Sequence, residues 1–341
     1  MTRRQKSISK SIAQAIDTNH PNHEAARATC LACWKFYDID LVAYGASILG
    51  QLRTDVWHID DVEYKSSFRN GDGQPMLKSI GDLGYSGSTF FTTLDSKYLI
   101  KSLPRRFEYT FFQQDLFAPY YEYMSIHPST LLVHITDYLV PSYMTLGGLM
   151  NLVPPHHIVM ENILYGKDSS SQPDQWETFD LKPMGYFYPE RDLVPDRLTR
   201  EETLNKLADT FNDKIRIHKT QFEELKAILE ADTHFLQSAN VVDYSLFLIR
   251  FPTTSQPKHT LTHATPTWRK GVTSADNKWT YRAILLDFFW AKHKFRAKAT
   301  TGAIHALNIF ARKGPMPITT TPKDYRKSFL EMVSSIIETV D

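Results

Sequence analysis

Cysteine is almost absent from this chain of 341 residues. The only two cysteines are Cys30 and Cys33, in CLAC. Such a pair is compatible with half a zinc site or a redox pair, but the sequence offers no second Cys or His pair at suitable spacing. We therefore interpret it as two small apolar residues on a helix. With so few cysteines and no secretory signal, the sequence predicts a reducing, cytoplasmic compartment.

Long hydrophobic runs are also missing. The apolar stretch LVAYGASILG, residues 41–50, is about half as long as the roughly 20 residues that a membrane-spanning helix requires. We therefore predict no transmembrane segment and expect any membrane contact to be peripheral.

The chain has almost no net charge, because 39 Lys and Arg balance 38 Asp and Glu to give +1. Nucleic-acid-binding domains are usually strongly basic, so we expect no nucleic-acid partner. The charge is nevertheless uneven. Between residues 288 and 313 the sequence contains no acid and six basic residues, which are Lys292, Lys294, Arg296, Lys298, Arg312 and Lys313. This segment is either a solvated face or a docking surface for an anionic membrane.

The length predicts about two domains. Residues 1–23 are polar and predicted to be a flexible N-terminus, 24–162 an N-terminal lobe, and 163–341 a C-terminal lobe. TFFTTL and KYLIKSL, separated by Asp95 and Ser96, predict a β-hairpin, and FEYTFFQQDLFAPYYEYMS predicts a helix. Capping boxes predict two further helix starts, Thr199 with Glu202 and Thr220 with Glu223.

Four chemically informative parts follow one another along the chain. They are the glycine-containing turn 84–88 (GYSGS), Lys101 at the end of YLIK, Asp243 in NVVDYSLFLIR and Asp287 in AILLDFFW. Phosphoryl transfer uses a backbone turn and a lysine for the phosphates, an acid near the attacking hydroxyl and an acid for magnesium. The order therefore indicates a kinase.

The sequence segments around these parts support that interpretation. SGSTFFTTLDSKYLIKSL, HHIVMENILYG, TFDLK, FLQSANVVDYSLFLIR, AILLDFFW and PMPITTTPKDYRKSF together resemble the kinase domain of the phosphatidylinositol-phosphate kinases, most closely that of the phosphatidylinositol 3-phosphate 5-kinases. The resemblance is collinear from about residue 85 to 329. It implies an α+β, two-lobed lipid-kinase fold with an antiparallel sheet in each lobe, helices packed on the sheets and ATP in the cleft between lobes.

The resemblance also implies which residues bind ATP. Lys101 would pair the phosphates, and the turn over them would use Gly84, Ser86, Gly87 and Ser88. The backbone at Glu161 and Asn162 would lie near adenine. TFDLK contains Asp180 and Lys182, and Lys182 would contact the terminal phosphate of ATP. On pattern alone, Lys101 could instead extend its ammonium group to solvent, and the turn could be an ordinary hairpin turn.

The remaining implied roles concern the lipid and the metal. Asp243 would orient or deprotonate the inositol hydroxyl, although a lone DYS is also typical of a turn aspartate. Asp287 would bind Mg²⁺, whose preferred ligands are oxygens. The cations that would recognise the phosphoinositide are Lys292, Lys294, Arg296 and Lys298. These implications predict a peripheral enzyme of endomembranes, and the sequence indicates no oligomeric state.

Two departures from the family pattern leave a second class of function open. Pro183 follows Lys182 where the family usually has Gly-Ser, and proline removes a backbone donor. The segment FRAKATTG lacks the acid that follows adjacent lysines in family members. The alternatives to a phosphatidylinositol 3-phosphate 5-kinase are therefore a phosphatidylinositol 4-phosphate 5-kinase and a weak or inactive kinase-fold protein that binds phosphoinositides or scaffolds partners.

Overall fold

A computed structural model describes residues 1–18, 39–82, 88–143, 145–150, 153–186, 210–255, 267–291 and 320–341. The chain divides into two compact units. The described residues of the first unit lie in Met1–Tyr109 and His134–Asn162, and those of the second lie in Thr110–Val133, Ile163–Leu261 and Thr265–Asp341. The fold is α+β, with antiparallel sheets and helices.

The first unit is built on a six-stranded antiparallel sheet of order β1-β5-β6-β4-β3-β2. Its strands are β1 (Leu41–Ala43), β2 (Lys78–Asp82), β3 (Thr89–Thr92), β4 (Tyr98–Leu103), β5 (Ile135–Pro141) and β6 (His156–Glu161). The helices of this unit are α1 (Arg3–Thr18), a pair formed by α2 (Ala46–Gln51) and a π-helical turn (Leu52–Val56), α3 (Asp61–Ser66) and α6 (Leu146–Leu149). The chain passes into the second unit within α4 (Arg106–Phe111).

The predicted flexible N-terminus is wrong for residues 3–18, which form α1. Ile8, Ile12 and Ile16 recur every four residues and are buried in the same hydrophobic core as Phe91 and Ile100. Lys10 and Gln14, which lie between them, are exposed, as expected of an amphipathic surface helix. The helix is therefore part of the first unit's core.

The predicted hairpin is confirmed. Strands β3 and β4 pair antiparallel, with Phe90 opposite Lys101, and β6 ends at Glu161. The predicted helix is also confirmed: α4 continues through a π-helical turn, Phe112–Leu116, into α5 (Phe117–Ile126).

The second unit contains a four-stranded antiparallel sheet of order β11-β12-β10-β7. Its strands are β7 (Glu177–Leu181), β10 (Ser245–Pro252), β11 (Val272–Thr273) and β12 (Trp279–Leu286). Two smaller pairs accompany it: β9 (Val241–Val242) is antiparallel to β13 (Trp290–Ala291), and β8 (Ile215–His218) is parallel to β14 (Ile337–Val340).

The helices of the second unit are α5, α7 (Lys219–Ser238), α8 (Thr267–Lys270) and α9 (Pro322–Ile336). The predicted capping box of Thr220 with Glu223 is wrong, because α7 is capped two residues earlier by His218, with Gln221 as its partner. The other predicted box, at Thr199, lies outside the described residues. No helix within the described ranges is long and apolar enough to cross a membrane.

A buried acid and a buried base hold residues 130–132 in the second unit. The Asp232 carboxylate accepts hydrogen bonds from the Thr130 hydroxyl, the Leu131 amide and the Tyr123 hydroxyl, at 2.6, 2.7 and 2.8 Å. Arg269 donates to the carbonyl oxygens of Thr130 and Leu132. Burial raises the pKa of Asp232 to about 6 against the lowering effect of these hydrogen bonds. Polar groups of a buried connection are thus satisfied by α7 and α8.

Candidate active site

Asp243 and Asp287 lie on two loops that face each other. Strand β9 pairs with β13, and β10 pairs with β12. Residues 243–244 connect β9 to β10, and residues 287–289 connect β12 to β13. Each loop is therefore flanked by strands that pair with the strands flanking the other loop, and this pairing brings the two loops together. Asp243 directly follows the short apolar strand β9, and Asp287 directly follows the apolar strand β12.

Both aspartates adopt left-handed backbone conformations, with φ of 68° for Asp243 and 63° for Asp287. This region costs most L-residues about 1–2 kcal/mol, and aspartate is one of the few non-glycine residues that enter it regularly. A β-branched residue at either position would strain the turn. Such conformations concentrate at functional sites, where surrounding structure holds them in place.

Lys182 joins this group from the end of β7. Leu181 pairs with Leu246 of β10, so the next residue, Lys182, lies beside the beginning of that strand. Its Nζ donates a 2.9 Å hydrogen bond to Oδ1 of Asp243, and the two side chains are only 17% and 12% exposed. This is a mostly desolvated ion pair in which each partner depends on the other.

The electrostatic surroundings of Lys182 include three carboxylates. Burial acts to lower the pKa of Lys182, but attraction by Asp243, and then by Asp180 and Asp287, outweighs it and raises the pKa above its ordinary value. Lys182 is therefore a cation at neutral pH. When ionised, three carboxylates outnumber one ammonium group, so this region can accept a further cation.

The backbone after Asp243 is fixed by a residue that the sequence reasoning did not single out. The Tyr325 hydroxyl of α9 donates a 2.6 Å hydrogen bond to the carbonyl oxygen of Tyr244. The signal available in the sequence was PKDYRKSF, which contributed to the resemblance without suggesting a role for its tyrosine.

The phosphate-binding lysine predicted for the first unit lies on β4. Lys101 is 8% exposed and pairs with Phe90 of β3 and Ile158 of β6. Its Nζ lies 5.9 Å from the centre of the Phe90 ring. Ser88 is also buried, just before β3, whereas Gly84, Ser86 and Gly87 lie outside the described residues. A buried lysine in a central strand favours a specific role over simple extension into solvent.

Glu161 and Asn162, predicted to lie near adenine, have other contacts in this unit. The Glu161 carboxylate accepts a 3.0 Å hydrogen bond from the backbone amide of His134. The Asn162 amide donates to the carbonyl oxygen of Lys97 at 2.9 Å, and its side chain donates to that of Ser96 at 2.8 Å. The two bonds of Asn162 connect the end of β6 to the β3–β4 turn, and the bond of Glu161 connects it to the residue before β5. Adenine recognition at this point stays a prediction.

The described structure does not test two parts of the predicted site, the lipid-recognition residues and the magnesium ligand. Lys292, Lys294, Arg296 and Lys298 lie outside the described residues. Within the ranges that are described, no three His, Cys, Asp or Glu side chains are grouped closely enough to hold a metal ion. Asp287 as a magnesium ligand therefore stays a prediction, supported by the oxygen donors of Asp287 and its neighbours.

Comparison with known families gives a match over more than half of the chain. The family model described as phosphatidylinositol-4-phosphate 5-kinase matches residues 72–270. That range includes β2 to β10 and three of the four charged residues of the candidate site, which are Asp180, Lys182 and Asp243; the fourth, Asp287, lies beyond it.

Individual relatives carry two kinds of name. The 1-phosphatidylinositol 3-phosphate 5-kinase FAB1 of Saccharomyces cerevisiae is 27% identical over 74% of this chain and 10% of that protein. The human 1-phosphatidylinositol 3-phosphate 5-kinase is 24% identical over 73% of this chain and 10% of its own length. Phosphatidylinositol 4-phosphate 5-kinase 4 of Arabidopsis thaliana is 24% identical over 57% of this chain and 23% of that protein. The chain thus spans only a tenth to a quarter of these relatives.

Proposed function

Because the chain belongs to the phosphatidylinositol-phosphate kinase family, we propose that it transfers the γ-phosphoryl group of ATP to a hydroxyl of the inositol ring of a phosphatidylinositol phosphate. The observation that carries this proposal is the ion pair of Lys182 with Asp243, with Asp180 and Asp287 acting on the same ammonium group. The two acids of a phosphoryl-transfer site and a phosphate-binding cation are therefore within one electrostatic cluster.

In this reaction Asp243 and Lys182 have distinct tasks. Asp243 accepts a hydrogen bond from the inositol hydroxyl, orients its oxygen toward the γ-phosphorus and receives its proton. Lys182 donates to the terminal phosphate and stabilises the negative charge on its oxygens in the transition state. Because Lys182 already contacts Asp243, a phosphate bound by Lys182 is placed next to the acid that acts on the acceptor.

The site also fits a divalent cation. Asp287 is only partly buried and supplies oxygen donors, the ligands that Mg²⁺ prefers. The excess of carboxylates around Lys182 would repel a polyphosphate, and a bound Mg²⁺ would supply the positive charge that offsets this repulsion. Asp287 would hold the ion, and Lys101 of the first unit would contact the phosphates. ATP binding in a cleft of a two-lobed kinase stays a prediction from the family resemblance.

The preferred acceptor is phosphatidylinositol 3-phosphate, with phosphorylation at the 5-position. Support comes from the matches to relatives named 3-phosphate 5-kinases, which cover 74% and 73% of this chain, compared with 57% for the Arabidopsis 4-phosphate 5-kinase. A 4-phosphate 5-kinase is the second candidate within the same chemistry. The basic residues 292–298 would dock on the anionic surface of an endomembrane.

Labelled ATP tests this proposal directly. The protein would be incubated with Mg²⁺ and vesicles that contain phosphatidylinositol or its 3-, 4- or 5-phosphate. We expect label in the lipid extract, greatest with the 3-phosphate and lost on addition of a magnesium chelator. Binding of ATP without transfer to any of these lipids would favour the inactive kinase-fold alternative. No binding of ATP would contradict the kinase proposal.

A further inference from the structure

Tyr325 lies at the point where three segments of the second unit meet. It is fully buried on α9, and its hydroxyl donates a 2.6 Å hydrogen bond to the carbonyl oxygen of Tyr244. Its ring packs edge-on against the Tyr244 ring, with centroids 4.8 Å apart, and lies 5.6 Å from the ring of Tyr186. Tyr244 follows Asp243 directly, and Tyr186 is on the segment that continues from Lys182. One side chain therefore contacts both segments that supply the ion pair.

The backbone that Tyr325 contacts is not held by strand pairing. Residues 243–244 lie between β9 and β10 and belong to neither of the two ladders. The left-handed conformation of Asp243 must therefore be maintained by contacts made from outside the ladders. A buried carbonyl without its donor costs about 1–3 kcal/mol, so the hydroxyl of Tyr325 gives the Tyr244 peptide a strongly preferred orientation.

The aromatic packing restricts the same loop from a second direction. Phe329, one turn after Tyr325 on α9, packs its ring 4.9 Å from that of Tyr244. The Tyr244 side chain is thus enclosed by two rings of α9, while its carbonyl is bound by the hydroxyl. Rotation of the peptide that joins Tyr244 to Ser245, the second peptide after Asp243, would break the hydrogen bond from Tyr325, and movement of the Tyr244 side chain would change the ring contacts.

On these contacts we propose that Tyr325 is a positioning residue for Asp243, which sets the direction of its carboxylate toward Lys182 and the acceptor hydroxyl. The proposal rests on the phosphotransferase function proposed above. It places Tyr325 outside the reacting atoms: its effect passes through the Tyr244 peptide. Displacements of about 1 Å at a reacting group can cost about 100-fold in rate, so a single hydrogen bond at this distance is sufficient to matter.

The test is Tyr325→Phe, which removes the hydroxyl and keeps the ring. Its matched control is Tyr123→Phe, which removes another buried hydroxyl of the same unit, one that donates to Asp232 instead of the Asp243 loop. We expect Tyr325→Phe to lower kcat about 10- to 100-fold with the KM for ATP within about 3-fold, and Tyr123→Phe to leave kcat within about 2-fold. Equal kcat values for the two variants would overturn the proposal.

The pH profile separates positioning from loss of folded protein. A smaller folded fraction lowers kcat equally at every pH. If Asp243 turns away from Lys182, it loses the attraction of that cation, so the pKa of Asp243 should be higher in Tyr325→Phe than in the unmutated protein. The acidic limb of the pH profile of kcat/KM should then shift to higher pH in Tyr325→Phe and not in Tyr123→Phe. A lowered kcat with an unshifted limb would assign Tyr325 a purely structural role.

Hydrogen exchange provides a measurement that does not depend on activity. Peptides that cover residues 239–248 should exchange faster in Tyr325→Phe than in the unmutated protein and in Tyr123→Phe. If the unmutated protein phosphorylates none of the lipids, the proposed function fails, and unchanged exchange would independently overturn the positioning role.

If Tyr325→Phe does not fold, Phe329→Leu provides the alternative test. This substitution loosens the packing around Tyr244 and should lower kcat without changing the KM for ATP; an unchanged kcat would overturn the proposal.

Discussion

Lys182 Nζ lies 2.9 Å from Oδ1 of Asp243, across a separation of 61 residues in the sequence. This contact joins the end of β7 to the connection between β9 and β10. It holds the cation proposed to bind the terminal phosphate against the acid proposed to act on the acceptor hydroxyl. Each charge offsets the desolvation of the other, so removal of one leaves the other mostly buried without its partner.

The first prediction concerns Lys101. Lys101→Ala should weaken ATP binding at least about 10-fold, because a buried ammonium group in contact with phosphate oxygens forms strong charge-assisted hydrogen bonds. Lys78→Ala, at an exposed lysine of the edge strand β2, is the control and should leave affinity unchanged. Calorimetric titration with ATP and Mg²⁺ measures both. Equal affinity in the two variants would remove Lys101 from the nucleotide site.

The second prediction concerns the packing of α1. Ile12 is fully buried, so Ile12→Ala should destabilise the first unit by about 2–5 kcal/mol. Lys10→Ala changes an exposed position of the same helix and should stay within about 0.5 kcal/mol of the unmutated protein. Urea denaturation measures the difference. Similar midpoints for both variants would show that α1 is not packed in the core.

The third prediction is a pH dependence due to Asp232. Its pKa is raised from 3.8 to about 6 in the folded protein, so folding favours the protonated form. The contribution of this group to stability is fully present below the unfolded pKa and is lost as the pH rises through about 6. Between pH 7 and 5, the unmutated protein should therefore gain about 1 kcal/mol relative to Asp232→Asn.

The control for this prediction is Asp276→Asn. The pKa of Asp276 is lowered, chiefly by a hydrogen bond from the Ser274 side chain, so this carboxylate stays ionised from pH 7 to 5. The stability difference between the unmutated protein and Asp276→Asn should be constant over that range. A constant difference for Asp232→Asn as well would show that Asp232 titrates normally in the fold.

The fourth prediction concerns the basic residues of the presumed lipid-recognition segment. Replacement of Lys292, Lys294, Arg296 and Lys298 by glutamine should release the protein from anionic vesicles at low salt, because each cation contributes about 1 kcal/mol. The control removes the same charge from exposed lysines of α7 and α9: Lys219, Lys226, Lys323 and Lys327. Vesicle sedimentation compares them. Equal retention of both quadruple variants would contradict membrane docking by the segment.

Local patterns predicted much of the fold and the separate parts of the site. The β-favouring residues of TFFTTL and KYLIKSL predicted β3 and β4. The helix α1 was missed because its polar residues outnumber the isoleucines spaced every four residues. The helix start predicted at Thr220 was wrong because the side chain of His218, two residues earlier, accepts the capping hydrogen bond.

Contacts between residues that are far apart in the sequence could not be predicted from local patterns. The bond between Tyr325 and Tyr244 joins residues 81 apart, and nothing in PKDYRKSF specifies its acceptor. The resemblance assigned Lys182 to a phosphate and Asp243 to a hydroxyl separately. Their direct contact depends on the pairing of β7 with β10, which sets the end of one strand beside the beginning of the other.

Asp243→Asn tests the central claim most directly. The substitution keeps the shape of the side chain and removes the acid, while the exposed Asp174→Asn is the matched control. We predict that Asp243→Asn lowers lipid phosphorylation at least about 100-fold and leaves ATP affinity within a few-fold, because the acid acts on the acceptor in the transition state. Parallel turnover assays and ATP titrations measure both quantities. Equal losses of ATP binding and turnover would contradict the account and assign Asp243 to the metal instead.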